Sequence, residues 1–446
     1  MAPITLADLQ KEPPANTIFI IGGGVVGSAL AFYLTASNND NDAPRVVVLD
    51  KSITTLRGST GCAPGFVGQL NANPVLTRLA KDSVQEYLTI PDAFNNVGGL
   101  EVVTTSAGAA QLKERRELAH AAGLPAELLD AQQAAGLAPE FVKEDTIAAA
   151  LHFPADGTAN PGVITGYFRE KAREKGAVFL EANITGLETT STENGSAVNI
   201  ATSQGLLRVQ SCPVILATGV WTQALLKDVV TGKVITDSPT PILPVAHPYT
   251  FTTQRPVRTG KPYPFLRWPE THVYARDHGD HDGLGSYDHA PIVVDNPADS
   301  AVGKWPASFA TVLAVAATSC LKNGDKFLTT DGCEDLDPTA QKRPFNGIFA
   351  VTPDNLPFAG KVKGVGNLWL CAAVWVTSAA STAKLLARQL LLQDQTATGA
   401  IDISEDDRKV LEALDPNRFR GTDAGELRRS ALARYNDIYN SQPLGY

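Results

Sequence analysis

A mixed α/β (α+β) fold is predicted by three observations. The run Thr17 to Ile21 is β-branched and aromatic, and it passes through Gly22-Gly23-Gly24-Val25-Val26-Gly27 into the helix-forming Ser28-Ala29-Leu30-Ala31-Phe32-Tyr33-Leu34. A second buried strand, Arg45 to Leu49, closes on an acid, Asp50. Further apolar strands recur far along the chain, at Val214 to Leu216 and at Leu368 to Val376, with no internal repeat and no long Gly/Ser linker between them. Two domains, if present, are therefore interleaved rather than strung in series.

The front element reads as strand, glycine turn and helix, the start of a Rossmann-like unit. Gly22 allows the tight turn, Gly24 lets a pyrophosphate approach the backbone, and Gly27 lets the helix pack closely on the strand. Free N–H groups and the positive end of the helix dipole then face the phosphates. Asp50 can accept hydrogen bonds from ribose hydroxyls. It lies 28 residues after Gly22 rather than close to ~20, and the polar stretch Ser37 to Pro44 reads as a surface loop that accounts for the delay. Glycine-rich turns also occur for purely structural reasons; the flanking strand, helix and acid favour dinucleotide binding.

The middle is less regular. Ala109 to Ala121 and Pro161 to Lys175 read as helices, while Ala177 to Leu187 and Ala197 to Leu216 alternate around Glu193-Asn194-Gly195 as a small antiparallel excursion. Val214-Ile215-Leu216-Ala217-Thr218-Gly219 is an apolar strand that stops on small residues, where backbone can pass close to something flat or charged. Between Pro239 and Pro269 the recurrent prolines point to edge strands and turns. Gly347 to Asp354 reads as strand to turn, Leu368 to Val376 as a continuous strand, and Ser378 to Leu392 as a helix.

Composition removes several functions. With 38 Lys+Arg against 47 Asp+Glu the formal charge is −9, the wrong sign for a nucleic-acid binder that gains affinity by neutralising phosphates. The five cysteines, Cys62, Cys212, Cys320, Cys333 and Cys371, are scattered and odd in number, which implies neither a disulfide framework nor a zinc knuckle. The longest apolar run, Leu368 to Val376, has nine residues, short of the ~18–20 needed to cross a bilayer. Met1 to Pro14 is no secretory signal and Pro443 to Tyr446 no peroxisomal address, so a soluble protein without a membrane partner, in the cytoplasm, is expected.

Seven segments in one order carry a family resemblance. They are the glycine turn, Gly58-Ser59-Thr60-Gly61-Cys62-Ala63-Pro64-Gly65, Val97-Gly98-Gly99-Leu100-Glu101, Leu243-Pro244-Val245-Ala246-His247, His278 to Tyr287, Phe345 to Asp354, and Ala373-Val374-Trp375-Val376-Thr377. Together they resemble the dimethylglycine oxidase, dimethylglycine dehydrogenase and sarcosine dehydrogenase group of the D-amino-acid-oxidase-like FAD-dependent oxidoreductases. The resemblance implies a discontinuous FAD-binding domain at 16–90, 146–236 and 344–396, an antiparallel substrate-binding domain at 91–145 and 237–343, and a helical extension at 397–446. It implies flavin contacts at Val25, Val26, Asp50, Lys51, Ser59, Thr60, Gly61, Cys62, Phe66, Ile184 and Val374 to Thr377. Gly219 can line the ring beside them.

The activity implied is oxidation of the C–N bond of an N-methylated or other secondary or tertiary amino acid, with electrons passing to dioxygen or to an electron-transfer acceptor. Hydride leaves the carbon beside nitrogen only once the nitrogen lone pair is free. By resemblance His247 would take the amine proton, a task suited to an ordinary imidazole, and Tyr274 would orient the amine. Arg267 and Arg276 flank Tyr274 and match positions that would hold the carboxylate with a guanidinium fork. The His272 to His289 stretch, dense in His and Asp, alternates faces and so reads as a polar rim rather than a metal site. Asp354 is expected to fix a turn.

Two departures from the resemblance matter. The family's histidine that is joined covalently to the flavin is Cys62 here; a thiolate can form the analogous thioether, and the alternative is a small buried cysteine beside noncovalent FAD. Gly347 occupies the place of another family's anchoring cysteine. The chain also stops near Tyr439 to Pro443, where the dimethylglycine enzymes continue into a folate-binding domain, so no folate partner is expected. Oxidation of another amine or a D-amino acid in a specialised pathway is the runner-up, and a non-catalytic subunit that keeps the fold is the alternative of a different class.

Overall fold

The computed structural model describes residues 4–11, 16–36, 44–192, 195–209, 212–298, 300–334, 342–393 and 403–438. The loop expected over Ser37 to Pro44, the turn at Asn194 and the chain end after Tyr439 lie wholly or largely outside them. The chain divides into two compact units: Met1–Gly61, Pro161–Leu243 and Ala350–Ala431 form one, and Cys62–Asn160, Pro244–Phe349 and Leu432–Tyr446 the other. Changes of unit thus fall at 61/62 and 160/161, where the sequence reading has them at 90/91 and 145/146. Pairing of Gly157–Ala159 with both Phe66–Val67 and Phe94–Asn95 ties the whole 62–160 stretch together.

The first unit is built on a six-stranded sheet in the order Phe358–Lys361, Leu368–Ala372, Val214–Leu216, Thr17–Ile21, Arg45–Asp50, Val178–Glu181. All neighbours run parallel except the edge strand Phe358–Lys361. Parallel strands buried on both faces need continuous apolar runs, which is what Ile18 to Ile21 and Val46 to Leu49 provide, each 2% exposed or less. Helix Val25–Ala36 packs against helices Pro161–Glu174 and Ala379–Gln393. The excursion after it is an antiparallel sheet of Ile184–Thr192, Gly195–Thr202 and Gly205–Leu207.

Two expected runs divide. Val178–Glu181 joins the parallel sheet instead of the excursion, and Val214–Leu216 sits near its centre. The strand expected to continue from Leu368 to Val376 ends at Ala372, because Ala373 adopts a left-handed φ of 56° and turns the chain.

The second unit carries a nine-stranded sheet ordered Val302–Gly303, Phe345–Val351, Leu243–Phe251, Asp282–Ser286, Val273–Asp277, Phe265–Trp268, Gly99–Val103, Ala149–Phe153, Glu127–Leu129. Phe265–Trp268 and Gly99–Val103 are parallel, and the adjoining ladders are antiparallel. Leu243–Phe251 and Phe265–Trp268 are interior, contrary to the edge position that their prolines suggested. Proline is accommodated because the ladder to Asp282–Ser286 starts only at Tyr249, beyond Pro244 and Pro248, and Pro264 precedes its strand.

Period-2 alternation gives this sheet two different faces. Leu100, Leu266, Ala275 and Leu284 turn to one side and pack with Leu313, Ala316 and Ala317 of helix Ser308–Cys320. Glu101, Arg267, Tyr274 and Arg276 necessarily point to the other. At ~25 cal/mol per Å² the apolar side supplies the stability; the opposite side is left for chemistry.

Candidate active site

In the first unit the glycine turn is as tight as its spacing implies. Gly22 takes φ 105° and a Cβ there would stand 2.4 Å from the Ala217 carbonyl oxygen, while a Cβ on Gly27 would lie 1.8 Å from that of Gly22. The helix therefore lies against the strand at a distance only glycine permits. Asp50 caps the turn: its Oδ2 accepts the Gly23 N–H at 2.5 Å and its Oδ1 that of Ser52 at 2.8 Å. Thr60 Oγ1 accepts the Val25 N–H at 3.2 Å, binding the Ser59-Thr60-Gly61 turn to the helix start.

A residue the sequence reading missed completes this cradle. Arg169, on helix Pro161–Glu174, donates to the Gly23 carbonyl at 2.7 Å and to that of Ile53, and its Nε is buried without a hydrogen-bond partner. Nothing local marks it, since its contacts lie 116 and 146 residues away. Gly219, with φ 52°, opens onto space with nothing within 4 Å of a Cβ position. Trp375 donates its indole N–H to Ala350 at 3.2 Å, and Asp354 receives Arg418 in a two-pronged pair at 2.9 and 3.1 Å, fixing its turn as expected. Ile184 precedes a register shift at Gly186 in its strand pair. A bare-backbone turn at a helix N-terminus, an acid at the next strand end and an orphaned guanidinium N–H together fit a dinucleotide.

In the second unit the polar face of the sheet gathers the remaining candidates. Tyr274 and Arg276 are two apart on one strand, Arg267 is the cross-strand partner of Tyr274, and Tyr249 faces Gly285. Glycine at 285 is required, because a Cβ there would stand 2.2 Å from the Tyr274 ring. His247 is 2% exposed and its Nε2 is 2.6 Å from the Tyr274 hydroxyl. Its Nδ1 lies 2.7 Å from the hydroxyl of Tyr435, and its backbone N–H goes to Asn346 Oδ1 at 2.9 Å. Phe66 meets Tyr274 edge-on with centroids 4.7 Å apart.

Burial pushes the His247 pKa well below 6.5, with His289 adding to the effect. The ring is therefore neutral at physiological pH and engaged at both nitrogens. In so dry a place the ring holds a proton less readily than the ordinary imidazole expected from the sequence.

The two arginines separate. Arg267 lies 4.0 Å from Glu101, which also holds Arg115 through two bonds of 2.7 Å. Arg276 is held by backbone carbonyls of Pro64 and Asp277 and forms no ion pair among the described residues; burial lowers its pKa. A buried guanidinium without a carboxylate is a ready seat for one.

Cys62 is half-buried, and burial, with Cys333 nearby, pushes its thiol up to about 12. It holds its proton at neutral pH, whereas thioether formation needs the thiolate. Several His and Asp side chains between 272 and 289 are engaged by neighbours. Asp277 and Asp282 pair with Arg255 and Arg258 at 2.6–2.9 Å, His278 bonds Tyr249 at 2.8 Å and His281 bonds Asp280 at 2.9 Å. Among the described residues no three His, Cys, Asp or Glu converge on a metal position.

The family model described as FAD dependent oxidoreductase matches residues 17–389. The chain belongs to that family. FAD is therefore its cofactor; the first unit's cradle would hold the dinucleotide part, and when bound FAD supplies a two-electron acceptor. Human (Homo sapiens) mitochondrial dimethylglycine dehydrogenase is 26% identical over 383 residues, 82% of this chain and 41% of that protein. The formaldehyde-forming 4-methylaminobutanoate oxidase of Paenarthrobacter nicotinovorans is 27% identical over 212 residues, 46% of this chain and 24% of that one. The chain thus spans less than half the length of these relatives. In three dimensions it is similar to the L-proline dehydrogenase of P. horikoshii, with a TM-score of 0.72, 22% identity and coverage of 93% of this chain and 99% of that chain. No helix among the described residues is long and apolar enough to cross a membrane.

Proposed function

We propose that this FAD-dependent oxidoreductase oxidises the C–N bond of an N-methylated or other secondary or tertiary amino acid, the imine then hydrolysing. The observation that carries this reading is the juxtaposition, on one face of the nine-stranded sheet, of Arg276 without an acidic partner and the Tyr274–His247 pair. Arg276 suits a carboxylate, and Tyr274 suits the nitrogen a few ångströms along the same molecule. The aromatic side chains of Phe66, Tyr249 and Tyr274 exclude water and favour the uncharged amine over its ammonium form. Resemblance to the dimethylglycine enzymes supports the N-methyl class over other amines.

The test is anaerobic bleaching of the bound flavin by a panel of sarcosine, dimethylglycine, longer N-methylamino acids and D-amino acids. We expect an N-methylated member to bleach it fastest. Arg276→Met should weaken binding of that compound about tenfold or more, since hydrogen bonds to charged groups contribute ~1.5–3 kcal/mol, and should leave binding of the decarboxylated amine unchanged. A fully occupied flavin that no amine bleaches would overturn the reading.

A further inference from the structure

The hydrogen bonds around His247 continue beyond the pair that handles the amine. Tyr435, on helix Ala424–Asn436, touches His247 Nδ1 at 2.7 Å, and the same hydroxyl lies 2.7 Å from His289 Nε2. His289 Nδ1 is 2.9 Å from the Ala290 carbonyl oxygen. Tyr274, His247, Tyr435 and His289 therefore form one unbroken file. Three of them are buried and the last is half-buried.

One end of the file fixes its direction. A carbonyl oxygen can only accept, so His289 carries its proton on Nδ1, and its Nε2 in the neutral ring is an acceptor. The Tyr435 O–H then donates to His289 Nε2, leaving the Tyr435 oxygen to accept from His247 Nδ1–H. His247 Nε2 in turn accepts the Tyr274 O–H. The Ala246 carbonyl, 3.1 Å from Tyr435, offers the hydroxyl a second resting direction. Asn436 donates to the carbonyls of Tyr287 and His289 at 2.6 and 2.8 Å, which clamps the His289 loop to the helix bearing Tyr435.

We propose that this file is a proton relay that carries the substrate's ammonium proton from Tyr274 to His289, with Tyr435 as its central link. The proposal rests on the amine-oxidising function above. As the ammonium N–H breaks, its proton bonds to the Tyr274 oxygen and the Tyr274 proton passes to His247 Nε2. The His247 Nδ1 proton passes to Tyr435, and the Tyr435 proton to His289 Nε2. One N–H or O–H bond forms for each that breaks, no group is oxidised, and the positive charge ends on His289, which releases a proton to solvent. The pass leaves His247 as its Nε2–H tautomer, so resetting the file takes, besides rotation of the two hydroxyls, exchange of that proton so that Nδ1 is protonated again before the next turnover. Burial lowers the His289 pKa, while its bond to the Ala290 carbonyl and Asp288 beside it favour the charged ring; near the helix end Asp437, just past Asn436, has Arg434 and His272 as charged neighbours. His247 is thereby relieved of holding a charge that its burial opposes.

The relay is tested on the FAD-loaded protein with the amine that bleaches it best. Tyr435→Phe keeps the ring packing and removes the link. It should slow anaerobic bleaching at neutral pH about a hundredfold or more, the scale of general acid–base contributions, and remove the multi-proton curvature of the rate in mixed light and heavy water. The loss should vanish above the amine's own pKa, where substrate arrives uncharged; a packing defect would persist there. His289→Gln should behave alike. Independently of turnover, nitrogen-15 spectra of the histidine rings should place the proton on Nδ1 of both His247 and His289. Unchanged bleaching in Tyr435→Phe, a deficit that high pH does not rescue, or a proton on His289 Nε2 would overturn the relay. Failure of every amine to bleach the flavin would instead overturn the function it rests on.

Discussion

Asp156 is a carboxylic acid in a place that disfavours its charge. It is 4% exposed, accepts the Gln69 N–H at 2.9 Å, and burial pushes its pKa up to about 7, while Arg267 and Arg115 pull it down and Glu101 pushes it up. The folded state therefore binds this proton more tightly than the unfolded chain, whose ordinary value is 3.8. Its contribution to stability is present below pH ~4 and is lost as pH rises toward ~7, by about 1.4 kcal/mol per unit of pH in that window. Asp156→Asn keeps an acceptor for Gln69 and cannot ionise, so its stability relative to the unmodified protein should improve from pH 4 to pH 7. Denaturant melts at several pH values check this, and a difference that does not change with pH would contradict it. At this scale the sequence was partly legible. His247, Tyr274 and Arg276 stand in recognisable motifs, whereas Tyr435 and Arg169 belong to none and acquire their roles from partners 188 and 146 residues distant.

Secondary-structure elements were read best where one local rule governs them. Strand, glycine turn and helix at Thr17 to Ala36 follow from β-branched residues, glycines and a helix-forming run in immediate succession. Gly27 is the sharpest test. Alanine there would bring a Cβ to 1.8 Å from the Gly22 carbonyl oxygen, so helix or strand must shift, at a cost of about 1–3 kcal/mol. Gly27→Ala should lower the melting temperature and the flavin content of the purified protein together; an unchanged flavin content would show that the cradle tolerates the displacement. Elements were misread where the decisive neighbour lies elsewhere in the chain. Proline argued for an edge at Leu243–Phe251, yet the strand is interior, and its ladder to Asp282–Ser286 begins at Tyr249, beyond both prolines.

For the whole molecule, FAD is a folding ligand as well as a reagent. FAD at about 100 times its dissociation constant should add about 2.7 kcal/mol to the unfolding free energy, seen as a rise in melting temperature over FAD-free protein. Because the Cys62 thiol holds its proton, acid precipitation should leave the yellow colour in the supernatant; colour in the pellet would show a thioether. The sequence by itself determined the strand–glycine turn–helix unit, the α/β class and the net negative charge, because spacing, apolar runs and net charge are properties of neighbouring residues or of simple sums. Tertiary structure alone decided that Arg276 and not Arg267 lacks a carboxylate, that burial pushes the Cys62 thiol up, and that His247 is one link in a file of four. Each of these depends on burial and on side chains brought in from distant strands and helices, and desolvation and hydrogen-bond direction exist only once those partners meet.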